Sequence, residues 1–195
     1  MSEVIRAIKQ RPMVELALTV LAAIGIAYGV QRFVIKPYVI PSESMLQTLK
    51  VGDRIFAARF WYDIADPQRG EIVVLHPNGI GNDVKPSTQV ASIVFVKRIV
   101  GLPGEWIRGH NHHVEICSGP TSGCRALLEP YLSSAQEPFP RDGSTAELIP
   151  AGSYFVMGDN RSFSDDSRVW GTVRRSQILG RVFGTYWPLS RIGSP

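Results

Sequence analysis

The hydrophobic pattern divides the chain into one long N-terminal apolar run and a longer body. Residues 16–31, LALTVLAAIGIAYGVQ, contain no charged side chain, and the run extends over 13–35 if Glu15 and Arg32 lie at its ends. A helix of that length measures about 35 Å, and a bilayer presents about 30 Å of hydrocarbon. No charged face recurs at the helical period. The pattern therefore predicts a transmembrane helix, preceded by a short cytoplasmic N-terminus, residues 1–12.

Two other structures are compatible with this apolar run. One is a buried amphipathic helix, although such a helix normally shows a polar face. The other is a cleavable secretory signal, but no A-x-A cleavage site precedes the turn at Lys36-Pro37. Three basic residues precede the run and two follow it. The positive-inside rule therefore favours a cytoplasmic N-terminus only weakly.

After Pro37 the apolar runs are short and rich in Val, Ile and aromatic residues, as is typical of β-strands. Strands are predicted at 38–41, 53–61, 71–75, 92–100, 153–157 and 181–187. The looser, more polar residues 106–150 indicate a small β sub-domain inserted between core segments 36–105 and 151–195, and its removal should leave the main sheet intact. The expected fold is mainly β: an N-terminal transmembrane helix followed by an antiparallel β-sheet body with a small inserted β sub-domain.

Composition and charge exclude two classes of protein. Of the 195 residues, 44% are hydrophobic, which excludes an intrinsically disordered chain. Four of the 21 basic residues and two of the 17 acidic ones precede residue 33, which leaves 17 basic against 15 acidic residues in the body. Nucleic-acid binding requires a clustered basic surface. We therefore expect no nucleic-acid partner.

The predicted strand SIVFVKRIV carries two adjacent charged residues, Lys97 and Arg98, which point to opposite faces. Lys97 shares its face with Ile93, Phe95 and Ile99. Burial against these neighbours would lower the pKa of the amine well below its usual value of about 10.4, so that the amine can act as a general base. The alternative is a lysine whose stem packs against the strand while its ammonium extends into water.

Two polar segments add further candidate chemistry. Residues 41–45, PSESM, place two hydroxyls in a Pro-led turn, which can present a serine nucleophile beside an oxyanion hole or be an ordinary structural turn. Residues 158–171, GDNRSFSDDSRVWG, combine carboxylates with two arginines. That segment is either a rigid buried platform or a solvated loop. Trp170 and the preceding SYFVM favour the platform.

Three histidines, His110, His112 and His113, crowd one short stretch of the chain. A turn between Ile107 and Val114 accounts for them, since no carboxylate or cysteine lies at a metal-binding spacing. We expect no metal site.

Together these segments resemble the bacterial type I signal peptidases. The motifs of that family follow in order: PSESMLQTL at 41–49, GDRI at 52–55, VKRIVGLPGE at 96–105 and GDNRSFSDDSRVWG at 158–171. The resemblance covers most of residues 36–190 and includes the preceding apolar run. Gln47 departs from it, because the family usually has Pro there.

The resemblance implies a membrane-anchored serine endopeptidase that removes signal peptides from exported preproteins, cleaving after small residues at −1 and −3. It implies a Ser-Lys dyad, in which Ser44 is the nucleophile and Lys97 the general base. Ser42, with the backbone N–H of Ser44, matches the oxyanion hole. Such chemistry needs no cofactor.

Further site residues follow from the same resemblance. Ser164 matches the hydroxyl that orients the lysine, and Asp166 and Arg168 match its supporting network. Arg98 and Asp159 match a structural ion pair. Eight positions match the lining of shallow apolar substrate pockets: Tyr38, Ile40, Pro41, Met45, Leu49, Ile55, Phe95 and Val96.

The resemblance also bears on location and on the cysteines. It implies a single-pass protein of the bacterial cytoplasmic membrane, with the catalytic body on the outer, periplasmic or extracellular, side. A disulfide can persist there, so a Cys117–Cys124 disulfide is expected, with two free thiols as the alternative. The expected partners are exported preproteins and the lipid bilayer, and the chain is expected to be a monomer.

Two other functions remain open at this point. A self-cleaving repressor or a related Ser-Lys hydrolase would need a cytosolic DNA-binding half, where this chain has its apolar run. A membrane-anchored scaffold protein could keep this fold without activity. Intact Ser44 and Lys97 favour an enzyme over the scaffold.

Overall fold

The computed structural model describes residues 2–29, 35–76, 94–132 and 145–195, with side chains from residue 13 onwards. Three sequence-based expectations lie outside the described residues: the last part of the predicted transmembrane helix with Arg32, the position of Ile93, and part of the inserted sub-domain.

The N-terminal apolar run forms helix α1, Ser2–Gly29. The side chains from 13 to 28 are exposed, and Leu16, Leu21 and Ile26 retain 65%, 65% and 69% of their accessible surface. No helix within the described residues has both the length and the apolar character needed to cross a membrane.

The body is mainly β, as predicted, and its strands pair antiparallel in two sheets. One sheet has seven strands: β1 Ile35–Val39, β2 Arg54–Ala58, β3 Ile72–Leu75, β4 Phe95–Gly101, β9 Ser153–Met157, β10 Val173–Arg174 and β11 Ile178–Trp187. The other has four: β5 Trp106–His110, β6 His113–Cys117, β7 Arg125–Ala126 and β8 Glu147–Leu148. The strand order is β1-β2-β11-β3-β4-β9-β10 in the first sheet and β7-β6-β5-β8 in the second.

Short helices and turns connect these strands. Two single-turn helices, α2 Trp61–Ile64 and α3 Ser167–Trp170, follow β2 and precede β10. The predicted strand 53–61 therefore ends earlier than expected, at Ala58, because the chain turns into α2. The predicted strand 38–41 begins and ends earlier, as β1. The remaining 3₁₀ turns are Glu43–Met45, Arg161–Phe163, Arg175–Gln177 and Leu189–Arg191.

Apolar clusters cover both faces of the large sheet, so β3 and β9 are buried along their whole length. The first cluster contains Tyr38, Ile40, Met45, Leu49, Ile55, Ala57, Ile72, Val74, Val96 and Val182. The second contains Tyr62, Val73, Leu75, Ile99, Tyr154, Val156, Val173 and Ile178, with Phe95, Leu102 and Trp170 packed against it. Because side chains alternate along a strand, β4 contributes Val96 to the first cluster and Phe95 and Ile99 to the second. Lys97 therefore lies on the face of the second cluster.

A third cluster joins the two sheets. It consists of Val100, Ile107, Val114, Ile149, Phe155 and Met157. Gly101 lies in the middle of this contact, where an added Cβ would collide with the Ile149 side chain. The four-stranded sheet is thus packed directly on β4, which carries Lys97, and on β9, which leads into residues 158–171.

Candidate active site

Ser44 lies in the 3₁₀ turn Glu43–Met45, just beyond the end of β1. Met45 anchors this turn, because its side chain is 1% exposed and belongs to the first cluster. Ser42 has an extended backbone immediately before the turn, and its Oγ donates to the Ser44 Oγ at 3.4 Å. Ser42 is exposed and Ser44 half-buried. The two hydroxyls of PSESM therefore lie together at an accessible turn.

Residues 158–171, which we call the platform, hold the Ser44 turn by hydrogen bonds. The Asn160 backbone N–H donates to the Ser44 carbonyl oxygen at 3.0 Å, and the Asn160 side-chain amide donates to the Glu43 carbonyl oxygen at 3.0 Å. The Thr48 hydroxyl donates to Asp159 at 2.5 Å. The backbone of the Ser44 turn is therefore fixed by the segment immediately after β9.

Gly158 is the point where the platform and the Ser44 turn come closest. An added Cβ at this position would collide with the Ser44 carbonyl oxygen and with the Oγ and Cβ of Ser164. Only a residue without a side chain allows this approach. The absence of a side chain at Gly158 therefore allows Ser164 to lie close to the Ser44 backbone.

Lys97 lies in the middle of β4, directly opposite Val73 of β3, and is 3% exposed. Its side-chain amine makes neither a hydrogen bond nor an ion pair with the described residues. Burial lowers the pKa of its amine to about 8, although the Asp166 and Asp165 carboxylates act in the opposite direction. The Lys97 side chain is thus almost completely buried, and its amine has a lowered pKa.

Asp166 organises the platform beside Lys97. Its Oδ2 accepts from the Ser164 hydroxyl at 2.7 Å and from the Gly158 backbone N–H at 2.9 Å. Arg168 donates to both of its oxygens, through Nε at 2.8 Å and Nη2 at 2.7 Å. Asp166 itself is fully buried. Ser164, Asp166 and Arg168 therefore form one connected group, in which the Ser164 hydroxyl donates to Asp166.

Arg98 and Asp159 form a buried bidentate ion pair on the other face of β4. Arg98 Nε donates to Asp159 Oδ1 at 2.9 Å, and Nη2 donates to Oδ2 at 2.6 Å. A third contact, from Nη1 to the Gly70 carbonyl oxygen at 2.7 Å, ties the pair to the turn before β3. Because Asp159 also accepts from Thr48, this ion pair links β4 to the chain that follows Ser44.

The residues matched to substrate pockets divide into two groups. Six of them are buried in the first cluster: Tyr38, Ile40, Met45, Leu49, Ile55 and Val96. Pro41 is exposed, and Phe95 packs against the second cluster, on the opposite face. Two cavities, of about 760 and 420 Å³, share Arg175 and Ser176 in their walls and contain none of the predicted site residues.

The inserted region contains the cysteines and three of the histidines. Cys117 and Cys124 are joined in a disulfide. Glu115 lies beside them, but both sulfur atoms are already bonded to each other and offer no thiolate to a metal. His110 and His113 face each other at the end of the β5–β6 hairpin, whose turn contains His112.

Sequence reasoning missed two residues of the inserted region, of which one contacts the platform and the other contacts Arg98 of β4. Glu129 forms a buried ion pair with Arg161, and the Tyr131 ring lies 4.0 Å from the Arg98 guanidinium. Both come from a short stretch without strand or helix periodicity, so the sequence alone contains no signal that would place them here. Asn160, which holds the Ser44 turn, lies in the GDNR motif but had no assigned role.

Comparison with known proteins places the chain in one family. The family model for signal peptidase, peptidase S26, matches residues 13–187. A signal peptidase I of Leptolyngbya laminosa is 38% identical over 183 residues, which cover 93% of this chain and 83% of that protein. The signal peptidase IB of Staphylococcus aureus is 30% identical over 195 residues and 93% of each chain. The chain belongs to the S26 family of signal peptidases and is a peptidase.

A probable signal peptidase I-2 of Synechocystis is also similar, with 37% identity over 179 residues, 92% of this chain and 75% of that protein. Among solved structures, a signal peptidase I from Enterococcus faecalis V583 aligns with 60% of this chain and 97% of its own, at 28% identity and a TM-score of 0.43.

Replacing Gly158 by Ala should disturb the contact between the platform and the Ser44 turn. Because the added methyl group meets backbone on one side and Ser164 on the other, we expect Gly158→Ala to lower the free energy of unfolding by about 2 kcal/mol. Denaturant titration of the full chain in detergent measures this. Gly184→Ala is the matched control, since its Cβ would meet a carbonyl oxygen only at 3.5 Å. Equal stability of the two variants would contradict the close approach at Gly158.

Proposed function

We propose that the chain is a membrane-anchored serine endopeptidase that removes signal peptides from exported preproteins, with Ser44 as nucleophile and Lys97 as general base. The observation that carries this proposal is the buried Lys97 amine without an ion-pair partner, whose pKa is lowered to about 8. An amine with this pKa is partly neutral near neutral pH, as a general base must be. Ser44 lies in the turn Glu43–Met45. Hydrogen bonds from the platform connect this turn to strands β4 and β9.

The proposed reaction begins with transfer of the Ser44 hydroxyl proton to the neutral Lys97 amine while Oγ attacks the scissile carbonyl carbon. The resulting oxyanion accepts hydrogen bonds from the Ser42 hydroxyl and the Ser44 backbone N–H. The Lys97 ammonium then gives its proton to the leaving amine as the peptide bond breaks, which leaves an acyl ester on Ser44. Water then attacks the ester carbonyl carbon while Lys97 accepts a proton from it. The bond to Ser44 Oγ breaks, Lys97 returns the proton to that oxygen, and the signal peptide departs with a free carboxylate.

Among the described residues, the Ser44 hydroxyl and the Lys97 amine are not joined by a hydrogen bond. Catalytic hydrogen bonds are often long in unliganded enzymes and shorten in the substrate complex. The hydrogen bond from the Ser42 hydroxyl to Ser44 Oγ, at 3.4 Å, is long in the same way.

The substrate would bind as an extended strand. β1 is an edge strand of the seven-stranded sheet, and it runs directly into the Ser44 turn. A peptide added along this edge gains backbone hydrogen bonds, while side chains at alternate positions meet the surface of the first cluster. Ile40, Met45 and Leu49 are buried in that cluster, and a shallow apolar surface of this kind would favour small side chains. We infer cleavage after small residues at −1 and −3.

The anchor would be the apolar segment 13–35. Its large side chains from residue 13 to 28 are exposed in helix α1, and a lipid environment would cover them. A preprotein is itself held at the membrane by its apolar signal sequence. Anchoring both molecules to one surface raises their effective concentration without any new contact.

Substitution of either dyad residue should abolish processing. We expect Ser44→Ala and Lys97→Ala each to lower kcat by about 10⁴-fold or more, and the double variant to be no slower than the single ones, because the two side chains act as a unit. Cleavage of a preprotein by the purified full chain measures this. Ser176→Ala and Lys50→Ala, both at exposed positions, are the controls. Substantial turnover by Ser44→Ala would refute the proposed nucleophile.

The rate should rise with pH through the pKa of Lys97. Since only the neutral amine accepts the Ser44 proton, we expect the acidic limb of kcat/KM to lie near pH 8. Phe95→Ser should move this limb to higher pH, because water admitted to the second cluster favours the ammonium. Phe60→Ser is the matched control, at a position 37% exposed and outside both clusters. A limb unmoved in a folded Phe95→Ser variant would mean that burial by Phe95 does not set the pKa.

The body should be reachable only from the outer side of the membrane. Protease added to intact spheroplasts should digest residues beyond about 36, because the anchor leaves only the N-terminus inside. An N-terminal epitope tag should remain protected until lysis. Protection of the body, with digestion only after lysis, would reverse the proposed orientation.

A further inference from the structure

Two residues of the inserted region that follow strand β7, Glu129 and Tyr131, contact Arg161 of the platform and Arg98 of β4. After β7 the chain presents Glu129, whose two carboxylate oxygens accept from Nη1 and Nη2 of Arg161, the former at 3.1 Å. The two side chains are 5% and 1% exposed. The Tyr131 hydroxyl donates to Glu129 Oε1 at 2.7 Å and so fixes the carboxylate in place.

Arg161 transmits this contact to the group beside Lys97. Its Nε donates to the Gly158 carbonyl oxygen at 3.1 Å. Its own carbonyl oxygen accepts from Arg168 Nη2 at 2.7 Å, and that same nitrogen donates to Asp166. Arg161 therefore braces the platform at both ends, at Gly158 and at Arg168.

Tyr131 makes a second connection, to the Ser44 side of the site. Its ring packs against the Arg98 guanidinium at 4.0 Å from the centroid, and Arg98 holds Asp159. Asp159 in turn accepts from Thr48, four residues after Ser44. Glu129 and Tyr131, two residues apart, thus contact both chains of interactions that converge on the proposed dyad.

The charge of Glu129 is what makes this contact consequential. Removing one partner of a buried, hydrogen-bonded ion pair is strongly destabilising, and the structure around the remaining charge has to rearrange. For Glu129 that remaining charge is Arg161 of the platform. By contrast, the Arg108–Glu115 ion pair of the same inserted region lies across β5 and β6, with both side chains 16% exposed and on a different sheet from the platform.

We propose that Glu129, supported by Tyr131, is a positioning residue of the peptidase: acting through Arg161, it sets the placement of the platform relative to Lys97 and the Ser44 turn. Its catalytic consequence rests on the proposed function. The inserted region is then part of the catalytic apparatus, and its removal would disturb the site even where the main sheet persists.

The first test compares charge with shape. Glu129→Gln keeps the shape and removes the charge, whereas Glu129→Asp keeps the charge on a shorter side chain. We expect Glu129→Gln to lower kcat at least tenfold with little change in KM, and Glu129→Asp to recover most of that loss. Glu115→Gln, the matched control in the other ion pair, should stay within twofold. A role in packing alone would give the opposite order, with Gln better tolerated than Asp, and would overturn the proposal.

The second test asks whether the effect passes through Arg161. In an Arg161→Met background, Glu129→Gln should have no further effect on kcat, because its partner is already absent. Independent, additive losses would overturn the proposal. Should Glu129→Gln fail to fold, Tyr131→Phe removes only the hydroxyl that holds the carboxylate, and should lower kcat about threefold. An unchanged kcat in Tyr131→Phe, with Glu129→Gln unfolded, would refute the proposed support.

A readout without turnover separates this inference from the proposed function. Amide hydrogen exchange of the full chain should show faster exchange across 156–168 in Glu129→Gln than in Glu115→Gln or the parent protein. That result together with a parent protein that does not cleave preproteins would leave the brace intact and refute the function. Unchanged exchange across 156–168 would refute the brace, whatever the activity.

Discussion

The site depends on one unfavourable burial, that of the Lys97 amine inside an antiparallel sheet. A pKa lowered from 10.5 to about 8 means that the ammonium form costs the folded state about 3 kcal/mol below pH 8. The unfolded chain binds this proton up to pH 10.5, so the cost disappears as pH rises from about 8 to 10.5. The apolar neighbours that impose it also offset it, since each buried aliphatic side chain contributes about 1.5–3 kcal/mol.

The other buried charges near the site are arranged differently, since each has an oppositely charged partner. Arg98 pairs with Asp159, Arg161 with Glu129, and Arg168 with Asp166. Within the described part of the chain, Lys97 is the buried charged residue that has no ion pair. The paired groups fix the backbone on which the site is built, while the unpaired amine remains free to exchange its proton. In the proposed mechanism, rigidity and reactivity are therefore supplied by different residues.

How far the sequence predicts this arrangement depends on the range of the interaction. The two-residue period of a strand suffices to separate Lys97 from Arg98, and the apolar runs suffice for the mainly β fold. The Glu129–Arg161 contact joins residues 32 positions apart across two sheets, and no local pattern encodes it. The turn after Ser44 is only partly predictable from the sequence. Gln47 has φ 87° there, a value closed to proline, so this turn and the departure from the family's usual Pro belong together.

Lys97 does not form an ion pair with Asp166, although this carboxylate acts on the amine more strongly than any other charged group. The reason is that both oxygens of Asp166 already accept hydrogen bonds. Oδ1 accepts from the backbone N–H and Nε of Arg168, and Oδ2 accepts from Gly158, Ser164 and Arg168 Nη2. Arg168 also offsets the negative charge that Lys97 would otherwise meet. The Asp166 carboxylate therefore opposes the effect of burial without forming a salt bridge with Lys97. The pKa of the amine is about 8, lower than that of an exposed lysine because burial has the larger effect.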